Sequence, residues 1–252
     1  TNCYVLGVSG GERIIVDPAA KSKDALDILR NKVREIESTG SEIIATIFTH
    51  KHPDHIGDLE NISKIYQAPI WTSKETFKMI PKCESDRILK EGDDFKLTGK
   101  GESVSWSIIE THGHCPGHIC LVGDAGIISG DNVTVIGTIL VPSSDGDMNQ
   151  YLEGLERIKN LNPPLLFPGH GPFSANPQRL LNRYITHRNE RHMLVYNAVK
   201  NNYKELESIA KKSYEDTPDA HPALLIDQTL SHLKGHIKSE NIREEGGRYY
   251  IN

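Results

Sequence analysis

The 252-residue sequence lacks the long apolar segments, targeting signals and paired cysteines that mark several protein classes. No apolar run approaches the ~20 residues of a membrane-spanning helix, and no signal-peptide pattern opens the chain. The four cysteines form no Cys-x-x-Cys pair and no compact disulfide framework, which indicates free thiols in a reducing compartment. These absences predict a cytoplasmic protein without membrane contact. Because the chain begins at Thr1, inside an expected strand, an organelle stays open as an alternative.

Strong basic charge is also missing. The net charge is −5, and residues 1–170 carry 17 basic and 24 acidic side chains against 12 and 10 in residues 171–252. A dedicated nucleic-acid-binding protein would show a clear basic footprint. The charge therefore favours a small substrate, or a single-stranded one held mainly at one site.

Apolar periodicity predicts alternating strands and helices as far as residue 172. Strands are expected at 3–7, 13–17, 42–48, 104–111, 119–122 and 126–129, and helices at 22–38, about 54–66, 73–79 and 148–160. Polar residues gather where these strands end. The pattern predicts a layered α/β or α+β domain with its site in loops on one rim.

The character of the chain changes beyond Pro172. Asn176-Pro177 is a typical helix start for a long helix reaching about residue 202, and further helices are expected at about 204–214 and 219–236. A hairpin turning at Gly246-Gly247 follows. This order is the outline of a winged-helix module. The predicted domains are therefore 1–174 and 175–252, and the oligomeric state is left open.

Three histidines and a carboxylate crowd the end of the expected strand at 42–48. His50, His52, Asp54 and His55 lie within six residues, and alternation along an extended segment places His50 and His52 on one face. Imidazole and carboxylate are natural ligands of a borderline cation such as zinc. A lone histidine would indicate only a polar loop, but this clustering predicts a metal site.

Three further stretches of the sequence supply four more candidates. His114 and His118 lie in a glycine-containing loop after the strand at 104–111, Asp131 follows Ser129-Gly130, and His170 lies between Gly169 and Gly171. In this order and spacing, the residues resemble the metallo-β-lactamase superfamily over about residues 1–172. The resemblance implies an α+β fold, the αββα sandwich, with a two-metal site at the edge between its sheets and a C-terminal winged-helix-like module.

Carried over residue by residue, the resemblance implies two sets of metal ligands. His50, His52 and His114 would bind one ion, Asp54, His55 and His170 would bind the other, and Asp131 would bridge them. Zinc is the first expectation from ligand type, with manganese or iron as alternatives.

A water or hydroxide shared by two metals would attack the substrate. Asp54 is the candidate to orient that water and take its proton. Asp17 and Thr49 are expected to hold the ligands in place, whereas His118 is expected either to support a ligand or to contact substrate. Lys51 is expected to face solvent.

Two features indicate the branch of the superfamily. An aspartate at 131, where true β-lactamases have cysteine, is similar to the glyoxalase II and nuclease-type branches. The segment 184–189 and the tail resemble the beta-lactamase-like endoribonuclease group. The leading hypothesis is therefore a phosphodiesterase acting on single-stranded RNA. The alternatives are a glyoxalase II-like hydrolase of a small thioester, and a non-enzymatic winged-helix protein with a vestigial metal domain.

Overall fold

The computed structural model describes residues 1–80 and 87–252, and its centre is a pair of five-stranded sheets. The first sheet consists, in spatial order, of β1 (Tyr4–Gly7), β2 (Glu12–Val16), β3 (Glu42–Ile47), β4 (Ile70–Ser73) and β5 (Arg87–Leu89). Its β1–β2 pair is antiparallel, and β2, β3, β4 and β5 run parallel. Of the four cysteines, Cys3, Cys115 and Cys120 are free thiols, and Cys83 lies outside the described residues.

The second sheet is mainly antiparallel. Its strands, in spatial order, are β10 (Leu166–Pro168), β9 (Gly126–Gly130), β8 (Ile119–Gly123), β7 (Glu102–Glu110) and β6 (Asp94–Gly99). Only β9 and β10 pair in parallel. Since the carboxyl ends of parallel strands meet at one edge, the residues after Gly130 and after Pro168 emerge side by side.

The sheets pack face to face and are covered by helices on both outer faces. Side chains of both sheets share one buried cluster, which includes Ile14, Ile47, Ile108 and Leu121. The helices α1 (Lys23–Ser38), α2 (Pro53–Ile56), α3 (Leu59–Ser63) and α4 (Lys74–Met79) follow strands of the first sheet. The helix α5 (Met148–Asn160) buries its apolar face on the second sheet. The expected αββα sandwich is confirmed.

One expected helix is divided. The helix predicted at about 54–66 forms as α2 and α3, which are separated at Gly57. Gly57 has φ +75°, and a methyl group there would lie 2.7 Å from the Ala20 carbonyl oxygen. The break therefore brings the chain against the loop after β2. Apolar periodicity cannot predict this contact, because the two segments are far apart in sequence.

Gly57→Ala is expected to lower the free energy of unfolding by about 3 kcal/mol, because left-handed backbone strain and overpacking add together. Gly40 is the matched control, since it has the same φ of +75° and open space around it. Gly40→Ala should lose only about 1 kcal/mol. Urea unfolding measures both values, and equal losses would contradict the role of the Ala20 contact.

The C-terminal part contains α6 (Pro177–Lys200), α7 (Leu206–Ser213), α8 (Pro222–Lys238) and the hairpin β11 (Ile242–Glu245) and β12 (Arg248–Ile251). The predicted helices and the turn at Gly246-Gly247 are confirmed. The winged-helix interpretation and the boundary at 174/175 stay predictions. None of the helices in residues 1–80 and 87–252 has the length and apolar character of a membrane span.

The helix α6 belongs to two cores. Its first half packs Leu181 and Tyr184 into the cluster that covers the second sheet. Its second half packs Val195 and Val199 with α7, α8 and the hairpin. One continuous helix therefore joins the C-terminal module to the two-sheet sandwich.

Candidate metal centre

The end of β3 delivers the first histidines into the edge between the sheets. His50 is fully buried, and its ring meets that of His52 edge-on at 4.7 Å. Pro53 occupies the first turn of α2, where its missing N–H costs nothing, and the short helix carries Asp54 and His55. The local sequence thus divides four candidate ligands between the strand extension and the following helix.

The candidate ligands form two groups. In the first, one nitrogen each of His50, His52 and His114 lie within 4.8 Å of one another. His52 Nδ1 and His114 Nε2 are 2.9 Å apart. In the second, ligand atoms of Asp54, His55 and His170 lie equally close. The structure therefore brings together the sets that the sequence resemblance implied, while their roles as ligands stay predictions.

Asp131 lies between the two groups. Its Oδ1 is 3.3 Å from His55 Nε2, and its Oδ2 is 3.6 Å from His114 Nε2 and 3.4 Å from His170 Nε2. A single carboxylate thus faces nitrogens of both groups. This position suits a bridge between two cations.

The chemistry of the buried atoms fits divalent cations. His50 Nε2, His55 Nε2 and Asp131 Oδ1 are buried without a hydrogen-bond partner in the described part of the chain. A buried polar atom without a partner costs about 1–3 kcal/mol, and these atoms belong to the nitrogen and oxygen ligand types that zinc and related ions accept. A bound ion would satisfy all of them together.

The protonation states of His50, His114 and Asp131 support the same fit. Burial lowers the pKa of His50 well below its usual value and also lowers that of His114, so both are neutral imidazoles with a free lone pair. Burial would raise the pKa of Asp131, but the neighbouring imidazoles of His170 and His55 outweigh it and hold the pKa low. Metal ligands are required in these forms. Burial would lower the pKa of His55, but the carboxylates of Asp131 and Asp17 raise it to about 10, so a cation would have to displace a proton from this ring.

The Asp17 carboxylate accepts hydrogen bonds from three donors that lie behind the candidate ligands. Asp17 is buried, and the donors are the Thr49 amide (2.8 Å), the Thr49 hydroxyl (2.6 Å) and His55 Nδ1 (2.8 Å). The Thr49 hydroxyl is also 3.0 Å from His50 Nδ1. Since a bond to one ring nitrogen fixes the direction of the other, Asp17 and Thr49 orient a histidine of each group.

His118 is fully buried behind Asp131. Its Nε2 accepts the Asp131 amide at 3.0 Å, and its Nδ1 lies 2.9 Å from the Thr111 hydroxyl. This arrangement supports a ligand and leaves no open face toward a substrate. His112 is not among the candidate ligands, and it accepts the Gly117 amide through Nδ1 at 3.1 Å.

Sequence reasoning missed Asp145. The expectation that Lys51 faces solvent is wrong, because its side chain is 15% exposed and donates to Asp145 Oδ1 at 2.6 Å. The other oxygen, Asp145 Oδ2, is 3.4 Å from His52 Nε2. The pair is 94 residues apart in sequence, and no local pattern signals such a contact.

Asp145→Asn is expected to weaken cation binding at the first group about tenfold, which is typical of lost support for a ligating histidine. The loss arises because His52 Nε2 no longer faces a charged acceptor. Chelator competition on protein loaded with Zn²⁺ measures it. Asp124→Asn, an exposed carboxylate in the β8–β9 turn, is the control. Unchanged affinity in Asp145→Asn would exclude the support role.

The histidines of the C-terminal helices lie outside this centre. His192, His232 and His236 pack together, and the rings of His192 and His236 stack at 3.5 Å. These contacts indicate a packing role.

Comparison with known proteins adds independent findings. The model of the Metallo-beta-lactamase superfamily matches residues 1–170. The Caenorhabditis elegans "Beta-lactamase-like protein 2 homolog" is 28% identical over 227 residues, which is 86% of this chain and 72% of that protein. The aligned share exceeds the family match, so the similarity extends into the C-terminal module.

Two further relatives are informative. The "Atrochrysone carboxyl ACP thioesterase" of Aspergillus fumigatus is 26% identical, and the match covers 83% of this chain and 62% of that protein. The solved structure of a metallo-beta-lactamase family protein from Thermus thermophilus shares the fold, with a TM-score of 0.78 and 16% identity over 100% of this chain and 93% of that chain.

Proposed function

The chain belongs to the metallo-beta-lactamase superfamily and is a metal-dependent hydrolase, and from that premise we propose that it cleaves phosphodiester bonds of single-stranded RNA. The observation that carries the proposal is Asp131, whose two oxygens face ligand nitrogens of both groups. This placement provides for two neighbouring cations. The non-enzymatic alternative gains no support, because the candidate ligands converge.

Two divalent ions, when bound, would activate water near neutral pH and stabilise charge on the attacking and leaving oxygens of a phosphoryl group. His50, His52 and His114 would hold one ion, and Asp54, His55 and His170 the other. Zinc remains the first candidate on ligand type. Asp17, Thr49, His118 and Asp145 would fix the directions of the ligands.

Asp54 is suited to accept a proton from the attacking water. Its side chain is 56% exposed, and Oδ2 lies 3.3 Å from His170 Nε2. Burial would raise its pKa, but the Thr1 hydroxyl and His55 lower it overall, so the group is an ionised base. A general base must be unprotonated and within hydrogen-bond reach of the proton that it removes.

A cleft beside the histidine loop offers room for a polynucleotide strand. Its volume is about 940 Å³, and Lys21, Lys51, Pro53, Leu59 and Met79 are among the residues that line it. Lysines can contact phosphate, and apolar side chains can pack against bases. Asp58 and Glu60 also line the cleft, and Lys51 is paired with Asp145, so Lys21 is the candidate phosphate contact.

Lys21→Glu is expected to raise KM for a single-stranded oligoribonucleotide about tenfold and to leave kcat within about twofold, because loss of one phosphate contact weakens binding without touching the chemistry. Lys23→Glu is the control, since Lys23 lies two residues away at the start of α1 and does not line the cleft. Steady-state kinetics at two salt concentrations measure the effect. An equal rise of KM in both variants would show that RNA does not bind in the cleft.

A thioesterase is the second candidate, because one relative is named as a thioesterase. Cations in the same positions would serve attack on a carbonyl carbon equally well. Metal-loaded protein should be incubated with single-stranded RNA, duplex RNA and S-lactoylglutathione, with Asp131→Asn as the inactive control. Cleavage of the single strand supports the proposal. Hydrolysis of the thioester alone would overturn it in favour of the second candidate.

A further inference from the structure

We propose that Arg188 and Gln228 of the C-terminal module are positioning residues for the first cation group, and that they act through the carbonyl of Leu140. This inference rests on the metal centre and not on the identity of the substrate. His114 Nδ1 lies 2.8 Å from that carbonyl oxygen and donates to it. The direction of His114 Nε2 toward His52 therefore depends on where Leu140 is held.

Leu140 is not part of a helix or strand. It lies in the irregular segment between β9 and α5, and its side chain is 40% exposed. Packing of its own side chain therefore contributes little to the position of its carbonyl. The constraint comes from its neighbours Ile139 and Val141, whose side chains are buried in the core that covers the second sheet and whose peptide groups are hydrogen-bonded.

Residues of the C-terminal module fix the peptide groups on both sides of Leu140. The guanidinium of Arg188, on α6, donates to the Ile139 carbonyl. The side-chain nitrogen Nε2 of Gln228, on α8, donates to the Val141 carbonyl at 3.0 Å. The side-chain oxygen Oε1 accepts a hydrogen bond from the Val141 backbone amide at 3.3 Å. Together these bonds form a clamp, defined here as Arg188 and Gln228 with residues 139–141.

The clamp is buried and internally connected. Arg188 is 3% exposed and Gln228 is 5% exposed. Arg188 Nη1 also donates to Gln228 Oε1 at 3.4 Å, so the two helices constrain each other at this point. Hydrogen bonds in such a dry environment are stronger than on the surface and are costly to leave half made. The module thus sets the geometry of a ligand it does not contact.

The other end of the same segment provides a comparison. Tyr184, also on α6, accepts the Thr134 amide at 2.9 Å and donates to the Thr134 carbonyl at 3.1 Å. The Thr134 hydroxyl in turn donates to the His170 carbonyl. Tyr184 also meets the Ile139 backbone, whereas Arg183 of the same helix donates to the Val135 carbonyl at 3.2 Å.

Gln228→Met tests the clamp with Zn²⁺ as the probe. It preserves side-chain length and removes every bond to Val141. Chelator competition should show that the protein binds one of its two zinc equivalents about tenfold more weakly. This equivalent should be the same one whose binding His114→Ala weakens. Arg183→Gln is the matched control, because Arg183 donates to the carbonyls of residues 134 and 135, and it should leave that equivalent unchanged.

Gln228→Glu keeps an acceptor for Val141 and Arg188 and loses the donor to the Val141 carbonyl and to Asp227, so it should weaken the same zinc equivalent and serves if Gln228→Met does not fold. Far-UV circular dichroism establishes folding of each metal-free variant. Unchanged affinity in a folded Gln228 variant would overturn the proposal. Equal weakening in Arg183→Gln would do so as well, since the effect would then be a general loosening of residues 131–147.

Hydrogen exchange gives a readout independent of chelation. If the clamp couples to His114, zinc should slow exchange of the Val141 amide in the wild type, because binding and clamping reinforce each other reciprocally. This protection should vanish in His114→Ala. Protection that persists without the His114 imidazole would contradict the connection through Leu140.

Discussion

Replacing Asp131 by asparagine is expected to reduce hydrolysis about a thousand-fold, since one charged group that faces both cation sites supplies several kcal/mol of electrostatic stabilisation. The metal content should fall below two ions per chain. The change preserves the shape of the side chain, and the backbone amide of residue 131 can still donate to His118 Nε2. The loss is therefore local.

Elemental analysis and hydrolysis of a chromogenic phosphodiester measure the two effects of Asp131→Asn together. Asp124→Asn is the control, because this exposed aspartate lies in the β8–β9 turn of the same sheet. A variant that kept two ions per chain and full activity would exclude Asp131 as the bridge. Retention of two ions with lost activity would assign Asp131 to the chemistry alone.

Asp17→Asn is expected to lower the free energy of unfolding of the metal-free protein by about 3 kcal/mol. An amide offers one acceptor oxygen where the carboxylate served the Thr49 amide, the Thr49 hydroxyl and His55 Nδ1. Each buried donor left without an acceptor costs about 1–3 kcal/mol. Asparagine also accepts the left-handed backbone of this position, φ +48°, so backbone strain does not add to the loss.

Urea unfolding with chelator present measures the stability of Asp17→Asn. Thr49→Ser retains the hydroxyl and the amide, so it should change stability by less than about 1 kcal/mol. If Asp17→Asn unfolded at the same urea concentration as the wild type, Asp17 would not be the centre of this network. With metal restored, the second group should also bind more weakly, because His55 has lost its acceptor.

The sequence predicted most of the secondary structure because the signals are local. The helix at Met148–Asn160 has the expected bounds, since Asp147 caps its first turn by accepting from two backbone amides. Gly246-Gly247 likewise encodes its own hairpin turn. At Gly57, in contrast, packing against Ala20 decides the backbone, and the expected continuous helix was wrong.

The same distinction applies to the site. His50, His52, Asp54 and His55 form one short motif at a strand end, so their convergence could be predicted. Lys51 and Asp145 are 94 residues apart in sequence. In the clamp, Gln228 is 87 residues from Val141, and Arg188 is 49 residues from Ile139. Side chains of ordinary type make these contacts, and only the folded backbone brings them together.

The shared helix α6 has a consequence for the order in which the protein matures. All seven candidate ligands precede residue 171, yet the core that covers the second sheet needs Leu181 and Tyr184, and residues 139–141 are held by Gln228. A nascent chain that has emerged only as far as residue 175 thus carries every candidate ligand without the packing that orients them. Domains fold as units during synthesis, so a well-ordered metal centre would form only after α8 has left the ribosome.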